Sequence, residues 1–411
     1  MIRNQELRKI KKRLMSENVA VLFLNFIDLR GQVRTKIIYT RELLHNFNGF
    51  FRDGVSVTGS LVDELQTRSE FFIIKPIPET FTIITWASAG DSKMAFVLCE
   101  LCNTSFDSRN VVQKLNSRFK EFQLEPMCGM GITYRLQNLR DEEKLAGFYQ
   151  SFPGSELDTF NQGLTRTLLS SGFDIEFIVP SGPGYCHIAF MSNDLLKSLD
   201  NNALGKWVAY SYMLSKRCSM IFSKPFSSAA PLHLSIWNGQ RTVNLFYDQH
   251  DRYEFSSLGY SFMAGVLHYF DEILAVIVAT AGALPKINYW KRLSFIDDDS
   301  IISAPCFFTE RKKKVHSGWS KRCVFRGVDD SANLYLVSSC IFAAGLEGIR
   351  SSWTVEDNTD ENYGVDSSSL LEKQRKLRKC QLFVDLLGEP ILNVLNDRLN
   401  VARKVKNGRK N

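Results

Sequence analysis

The pattern of apolar residues changes near residue 105, and this change most constrains the fold of the chain. Before it, short alternating segments are separated by turn residues, and "AVLFLNFIDLRGQVRTKII" (20–38) predicts two strands joined by a turn at Arg30–Gly31. From Ser108, the predicted cap of the first long helix, short strands and amphipathic helices alternate. The pattern therefore predicts a small strand-rich domain over 1–105 and a larger mixed domain over 106–411.

The order of elements in the second part restricts the fold class. Helices are predicted over 156–171, 203–216 and 262–283, with short strands between them. The chain has no glycine-rich phosphate loop between a strand and a helix, which argues against a Rossmann or P-loop design. A chain of 411 residues is also too long for one ordinary core. We therefore expect a two-domain α+β fold.

The net charge of +7 is concentrated at the two ends of the chain. Residues 1–13 carry a net charge of +5 and residues 398–411 carry +6, so the remainder has a net charge of −4. Because no basic body could follow a phosphate backbone, we expect no nucleic-acid partner. The longest apolar run, Ile273–Leu284, is shorter than the about 20 residues of a membrane span, so we expect a buried helix and no membrane partner.

Cysteine usage and the first residues predict a cytoplasmic protein. The apolar stretch 19–27 is short, contains Asn25 and stops at Asp28, so it does not fit the core of a signal peptide. Nine cysteines, an odd number spread over a long chain, are typical of reduced thiols. Cys99 and Cys102 form the only C-x-x-C, and no second pair follows at zinc spacing, so we interpret them as ordinary strand thiols.

Several segments together match one known family in order and spacing. They are "DLRGQVRTK" (28–36), "RDGVSVTGS" (52–60), "KPIPETFTIITW" (75–86), "FMAGVLHYF" (262–270), "KINYWKRL" (286–293), "RCVFRGVDDSANLYL" (322–336) and "FAAGLEGI" (342–349). They resemble the glutamine synthetase family, including its γ-glutamyl-amide and polyamine ligase branch. The resemblance implies a β-grasp N-terminal domain over 1–105 and a catalytic-type α+β domain over 106–411.

The resemblance also implies a chemistry whose metal ligands are altered here. Family enzymes use ATP to phosphorylate the γ-carboxylate of glutamate, and an amine then displaces the phosphate. Two divalent cations bridge the phosphate oxygens, and such hard cations need several carboxylate ligands. The family's metal-binding positions are occupied here by Gly131, Thr133, His187, Pro231 and Val324. In addition, Tyr185 replaces a glutamine and Ser303 replaces the glutamate of the flap. The family has a further glutamate that this chain lacks, and Glu176 is the nearest carboxylate to that position.

Other positions of the family site are retained. The resemblance assigns substrate binding to Arg292, Arg311 and Arg322, nucleotide binding to His233 and Ser235, and vestigial catalytic positions to Asp53 and Arg326. Which family arginine Arg311 replaces stays open, because counting from either side of its loop gives different answers. In the family, the aspartate at the position of Asp53 completes the site of the neighbouring subunit. We therefore expect a homo-oligomer or a mixed ring with an intact glutamine-synthetase-like subunit.

Three functional hypotheses follow from this combination. The first is a catalytically inactive family member with a structural or regulatory role in a ring, which needs no cofactor. The second is an ATP-dependent γ-glutamyl-amide ligase with a remodelled metal site, which needs ATP and Mg²⁺. The third is a module that uses its retained arginines to bind an anionic small molecule without a metal.

Overall fold

The structure of the chain is a computed structural model that describes residues 2–59, 71–137, 150–182, 184–222, 231–281, 291–294, 300–303, 317–328, 331–355 and 367–408. The helices are α1 (Ile2–Ser16), α2 (Thr40–His45), α3 (Phe47–Asp53), α4 (Ser108–Glu121), α5 (Glu156–Ser170), α6 (Leu195–Ser215), α7 (Ser257–His268), α8 (Phe270–Thr280), α9 (Ser317–Ser320), α10 (Leu334–Arg350), α11 (Ser367–Lys379), α12 (Gln381–Leu387) and α13 (Glu389–Gly408). The strands are β1 (Val19–Ile27), β2 (Val33–Tyr39), β3 (Val55–Thr58), β4 (Phe71–Pro76), β5 (Thr82–Ala89), β6 (Ser92–Cys102), β7 (Leu124–Gly129), β8 (Gly131–Gln137), β9 (Ile175–Gly182), β10 (Tyr185–Phe190), β11 (Asn193–Asp194), β12 (Ser219–Phe222), β13 (Leu232–Asn238), β14 (Lys291–Ser294), β15 (Ser300–Ser303) and β16 (Cys323–Phe325). The chain has the predicted α+β architecture.

The chain divides into two compact units. Unit 1 comprises Met1–Arg109, Tyr134–Phe190 and Asn201–Phe222, and unit 2 comprises Asn110–Thr133, Met191–Asp200 and Ser223–Asn411. The division predicted at residue 105 lies close to the first crossing between the units. However, residues 134–190 and 201–222, which that division assigned to the large domain, belong to unit 1.

Unit 1 contains a six-stranded sheet in which β1 and β2 form the predicted hairpin. The sheet has the order β2-β1-β6-β4-β3, and β5 pairs with β6. The buried side chain of Asp28 organises the turn: its Oδ1 accepts the backbone N–H groups of Arg30 and Gln32 at 2.9 and 2.8 Å, and its Oδ2 accepts from Arg34 Nε at 2.7 Å. Gly31 adopts φ 77°, which a residue with a side chain rarely does. The predicted hairpin is therefore confirmed, with its turn held by the aspartate.

A second sheet in unit 1 has the order β12-β8-β10-β9. Tyr134 of β8 is fully buried, and its hydroxyl group is hydrogen-bonded to Asn161 Oδ1 of α5. Its ring lies 6.0 Å from that of Phe160, which packs in turn on Tyr212. Because alternate residues of a strand face opposite sides of a sheet, the neighbours of Tyr134, including Thr133 and Arg135, belong to the other face.

The core of unit 2 lies between a six-stranded sheet and helices α7, α8 and α10. The helices α7 and α10 cross where both carry glycine, since a Cβ atom on Gly265 would overlap the carbonyl oxygen of Ala344 and one on Gly348 would overlap that of Ser261. These glycines belong to "FMAGVLHYF" and "FAAGLEGI". The two segments therefore form one close helix crossing.

The helix predicted over 262–283 is wrong as a single element. It consists of α7 and α8, which are bent by 63° at Tyr269. The new helix begins with Asp271 and Glu272 in its first turn, where carboxylates interact favourably with the helix dipole. Among the described helices no single one is both long and apolar enough to span a membrane, and this bent pair satisfies the length and composition criteria only jointly.

The predicted cap of α4 is also corrected. The helix begins at Ser108, and the side chain of Asp107 accepts the backbone N–H of Arg109 at 2.9 Å, so Asp107 and not Ser108 supplies the capping oxygen. Both residues are common caps, and the sequence alone does not decide which of two adjacent ones takes the role.

Candidate functional site

The candidate site is built on the strands at the centre of the sheet of unit 2. The sheet has the order β11-β7-β13-β16-β15-β14. His233 of β13 pairs with Val324 of β16 on one side and with Gly129 of β7 on the other. In turn, Ser303 of β15 pairs with Val324. Since directly opposed residues of neighbouring strands share a face, His233 and Val324 belong to one face of the sheet.

The opposite face of these strands is apolar and fully enclosed. Leu232 and Leu234 of β13 and Cys323 and Phe325 of β16 are at most 2% exposed. The ring of Phe325 lies 6.4 Å from that of Phe270 at the start of α8. Burial raises the pKa of the Cys323 thiol to about 12, while the positive charge of Arg326 acts in the opposite direction. The enclosed thiol is therefore protonated at neutral pH, and this face serves as a packed support.

Val324 is 1% exposed although it belongs to the face of the candidate site. It stands where the family has a glutamate, and a packed isopropyl group takes the place of a carboxylate. Arg322 and Arg326, both half-buried, directly flank the strand that carries it. Because β16 is extended, the Cα atoms of the two arginines lie roughly 13 Å apart. The structure thus places the two arginines on either side of a buried, uncharged side chain.

His233 and Ser235 occupy alternate positions of β13. His233 is half-buried and Ser235 is 8% exposed. The hydroxyl group of Ser235 accepts a hydrogen bond from Trp237 Nε1 at 3.0 Å. A Cβ atom on Gly129 would meet the Cβ of His233 at 3.4 Å, which is ordinary contact. The strands at this point are therefore closely but not exceptionally packed.

Three positions that the resemblance assigns to metal ligands belong to unit 2, one of them before β13 and two of them on β8. Pro231 immediately precedes β13, and Gly131 begins β8 two residues after Gly129. Thr133 follows on β8 and is 4% exposed. None of the three supplies a carboxylate or an imidazole.

The helix start of the "RCVFRGVDDSANLYL" segment is also ordered. Asn333 caps α10, because its Oδ1 accepts the backbone N–H groups of Tyr335 and Leu336 at 3.1 and 3.2 Å. The hydroxyl group of Tyr335 donates to Asp200 Oδ1 at 2.9 Å. The frame of the segment is therefore preserved by a cap and a buried hydrogen bond.

The remaining predicted residues of unit 2 are only partly described. Arg292 lies on β14, which is two strands from β16 in the sheet order, and Ser303 lies on β15. Arg311 lies outside the described residues.

The other predicted residues belong to unit 1. His187 and Tyr185 lie on β10, where the His187 ring is 6.1 Å from the ring of Phe177 and the Arg135 guanidinium lies 5.3 Å from the centre of the Tyr185 ring. Glu176 is exposed on β9. His187 thus has an aromatic neighbour on the strand beside it, and Tyr185 has a cationic one.

Asp53 ends α3 on the surface of unit 1. Its carboxylate accepts two hydrogen bonds of 2.8 Å from the guanidinium of Arg52, and this pairing lowers the pKa of Asp53. Gly54 follows with φ 77°, so the turn after the aspartate depends on glycine. The resemblance alone did not indicate that Arg52 would bind the carboxylate within the same chain.

The residues at the former metal positions do not fit two divalent cations. Glycine, proline and valine have no ligating side-chain atom, and Thr133 has one buried hydroxyl group. The part of the chain that the structure describes contains no group of three His, Cys, Asp or Glu side chains that could share an ion. Mg²⁺ and Mn²⁺ prefer several carboxylate or carbonyl oxygens, and these positions supply no carboxylate and one imidazole, that of His187.

Two charged groups beside the site were missed by the sequence interpretation. Lys321, which precedes Arg322, is 5% exposed, donates from Nζ to the carbonyl oxygen of Tyr253 and lies 5.5 Å from the centre of the Phe255 ring. Asn244 Nδ2 donates to the carbonyl oxygen of Lys321 at 2.6 Å. The sequence around Lys321 gives no local signal that it is buried, because its partners come from residues 244–255.

The second missed group joins β7, β11 and the turn after β13. Arg241 lies 2.5 Å from Glu125 Oε1 and 3.5 Å from Asp194 Oδ2, and Glu125 is 7% exposed. Arg241 adopts φ 57°, in the left-handed region. The turn therefore holds the guanidinium against a buried carboxylate at one end of the site strands.

Comparisons with known proteins agree with this arrangement. Glutamine synthetase of Thermotoga maritima is 24% identical over an alignment that covers 93% of this chain and 92% of that protein. Glutamine synthetase of Staphylococcus aureus is 26% identical, covering 93% and 91%. Among solved structures, a novel glutamine synthase homolog has a TM-score of 0.78 at 15% identity, covering 94% of this chain and 95% of that one. Apo GmaS without ligand has a TM-score of 0.79 at 16% identity, covering 96% of each chain.

A family model described as "Glutamine synthetase, catalytic domain" matches residues 105–393. The match covers more than half of the chain and includes the strands that place His233 opposite Val324 and the helix capped by Asn333. With this match, the chain belongs to the glutamine synthetase family.

Proposed function

We propose that this protein is a catalytically inactive member of its family with a structural or regulatory role in a ring assembly. The observation that carries the proposal is Val324, a buried valine that occupies a ligand position on the site face opposite His233. The substitutions at Gly131, Thr133 and Pro231 support it, because one altered ligand could be replaced by a neighbour but several could not. Packing and ligation are separate physical constraints, so a fold can persist after its ligands are lost.

Metal binding and turnover test this proposal directly. We expect calorimetry with Mn²⁺ to show no tight pair of ions, and we expect no ADP release from ATP, Mg²⁺ and glutamate with ammonia or a panel of amines. An intact family enzyme treated identically is the positive control. Two tightly bound ions would contradict the proposal. Amine-dependent ADP release that exceeds the release from the same protein without glutamate would also contradict it.

The alternative from the enzyme class is an ATP-dependent γ-glutamyl-amide ligase. The fold shared with GmaS, a γ-glutamylmethylamide synthetase, favours this alternative. It requires ATP and Mg²⁺, and the metal would need ligands other than those at the five former positions. Formation of a γ-glutamyl amide that depends on both ATP and Mg²⁺, detected by mass spectrometry, would support the ligase over the inactive protein.

A second alternative is a metal-free module for an anionic small molecule. Its support is that Arg322 and Arg326 remain on either side of the uncharged Val324, since guanidinium groups suit carboxylate and phosphate. Sulfate at matched ionic strength with EDTA should then raise the melting temperature more than chloride does. Arg326→Ala should remove the difference, whereas Arg375→Ala, at an exposed position of α11, should keep it. Equal shifts in both variants would indicate general salt effects and contradict this alternative.

Assembly and location belong to the same proposal. The retained Asp53 turn supports a homo-oligomer or a mixed ring with an intact relative, in which one subunit contacts the next through the domain that bears it. We propose a cytoplasmic location on the basis of the cysteine usage. Native mass spectrometry of the protein, alone and with any co-encoded relative, should give a closed oligomer, and a monomer under both conditions would contradict the ring.

A further inference from the structure

Unit 2 contains a cavity that none of the former site residues lines. It has a volume of about 530 Å³ and lies among α4, α10, α12 and the junction of α7 and α8. The residues of its floor, Leu115, Ala343 and Leu346, are apolar but only 0%, 3% and 5% exposed, so the apolar surface open to a ligand comes from Phe122, Tyr269 and Leu382. A cavity of this size with an apolar floor has the ordinary dimensions of a small-molecule site.

The rim of this cavity carries more negative than positive groups. Glu121, Glu347 and Asp385 contribute three carboxylates, and Arg118 and Arg350 contribute two guanidinium groups. In addition, α4 ends at Glu121 and α10 ends at Arg350, so two helix C-termini with their partial negative charge lie at the rim. The field at the opening therefore favours a cation.

The two arginines are already engaged by the wall of the cavity. Arg350 donates to Glu347 Oε2 at 3.2 Å and lies 5.8 Å from the centre of the Phe122 ring. Arg118 donates to the carbonyl oxygen of Asp385 at 3.1 Å. Both guanidinium groups are thus held by wall groups other than the carboxylates of Glu121 and Asp385. With Arg350 paired to Glu347, Glu121 and Asp385 carry two negative charges against the one positive charge of Arg118, and Asp385 Oδ1 also accepts from Gln381 Nε2 at 2.7 Å, so the rim keeps a net charge of −1.

Aromatic rings at the opening add to the same preference. Phe122 is 47% exposed, and Tyr269 is half-buried where α7 meets α8. The face of an aromatic ring attracts a cation, and its body covers the apolar part of a ligand. A purely anionic or a purely apolar ligand would gain little from this combination.

We propose that this cavity binds an organic cation with an apolar body. Its amine lies against Glu121 and Asp385, and its apolar part packs against Phe122, Tyr269 and Leu382. The site is distinct from the sheet face with His233 and Val324, because the two share no residue.

Calorimetry with the full chain and phenethylamine tests the proposal at low ionic strength, with phenethyl alcohol and 3-phenylpropionate as the matched neutral and anionic probes. We expect one amine per chain and weaker or absent binding of the other two. Glu121→Gln combined with Asp385→Asn should weaken amine binding about tenfold, which corresponds to two exposed ion pairs. The matched control Glu372→Gln, at an exposed carboxylate of α11, should bind as the unaltered chain does.

Several results would overturn the proposal. Absence of saturable amine binding would show that the cavity is not an amine site. Equal amine affinity of the double variant and the unaltered chain would show that the amine binds elsewhere. Equal binding of phenethyl alcohol would mean that charge does not select the ligand. Both altered carboxylates are on exposed residues, so melting curves of the double variant should match those of the unaltered chain and exclude misfolding as the cause.

Discussion

His233 on β13 lies directly opposite Val324 on β16, and the valine is 1% exposed. A residue to which the resemblance assigns nucleotide binding is thus paired with one at a position to which it assigns a metal ligand. The pairing holds the two strands in register, and it places a buried apolar side chain where the resemblance implies a carboxylate. This relationship leads to the first prediction.

Val324→Glu should not restore ligation. The carboxylate would enter a buried position, and the other ligand positions, such as Gly131 and Pro231, would still lack ligating atoms. Burial of a charge without complete compensation should lower the free energy of unfolding by about 2–4 kcal/mol. Chemical denaturation measures the stability, and ADP release with Mg²⁺ and glutamate measures activity. Recovery of metal-dependent ADP release by this single change would contradict the loss of several ligands.

Gly265→Ala and Gly348→Ala should each destabilise unit 2 by about 1–3 kcal/mol or more, because a Cβ at either position would overlap a backbone carbonyl oxygen of the other helix. Gly129→Ala is the matched control, since its Cβ would make only ordinary contact at 3.4 Å. Denaturant titration followed by tryptophan fluorescence gives the comparison. If all three variants lost the same stability, the close crossing of α7 and α10 would not be the cause.

Arg241→Ala should lower the free energy of unfolding by about 1–3 kcal/mol, because it leaves the buried carboxylate of Glu125 without its cation. Glu125→Gln should recover part of this loss in the Arg241→Ala background, since no charge is then left buried. A double-mutant cycle measures the coupling. Additive effects of the two changes would show that the 2.5 Å contact does not stabilise the fold.

The stability of the chain should fall as the pH rises from about 4 to about 6, owing to Asp107. Burial raises the pKa of this carboxyl group from 3.8 to about 6, against the opposing effect of Arg109. In this window the unfolded chain releases the proton first, so increasing pH favours unfolding, by up to about 3 kcal/mol in total. The contribution is fully present below the pKa of the unfolded chain.

Asp107→Asn should flatten this part of the pH profile. Asparagine retains an oxygen that can accept the N–H of Arg109, so the cap of α4 is preserved while the titrating group is removed. Melting temperatures measured between pH 4 and pH 7 compare the two proteins, and the variant should gain most above pH 6. Parallel profiles of the two proteins would mean that another group dominates in this range.

Local sequence determined the elements whose contacts are close in the chain. The hairpin of β1 and β2 was predictable, because Asp28 accepts from residues only two, four and six positions ahead and Gly31 permits the turn. The residue types at the positions that the resemblance assigns to metal ligands likewise follow from the spacing of the surrounding segments. Whether a side chain carries a ligating atom is a property of residue type, and residue type does not depend on the fold.

Tertiary structure alone decided which distant residues meet. The pairing of His233 with Val324 and the contact of Arg241 with Glu125 join positions about a hundred residues apart, and no local periodicity encodes such pairs. The bend at Tyr269 likewise arises within a continuous apolar run that local pattern reads as one helix. Packing against partners remote in sequence supplies the free energy that selects these arrangements, so they became visible only in the folded chain.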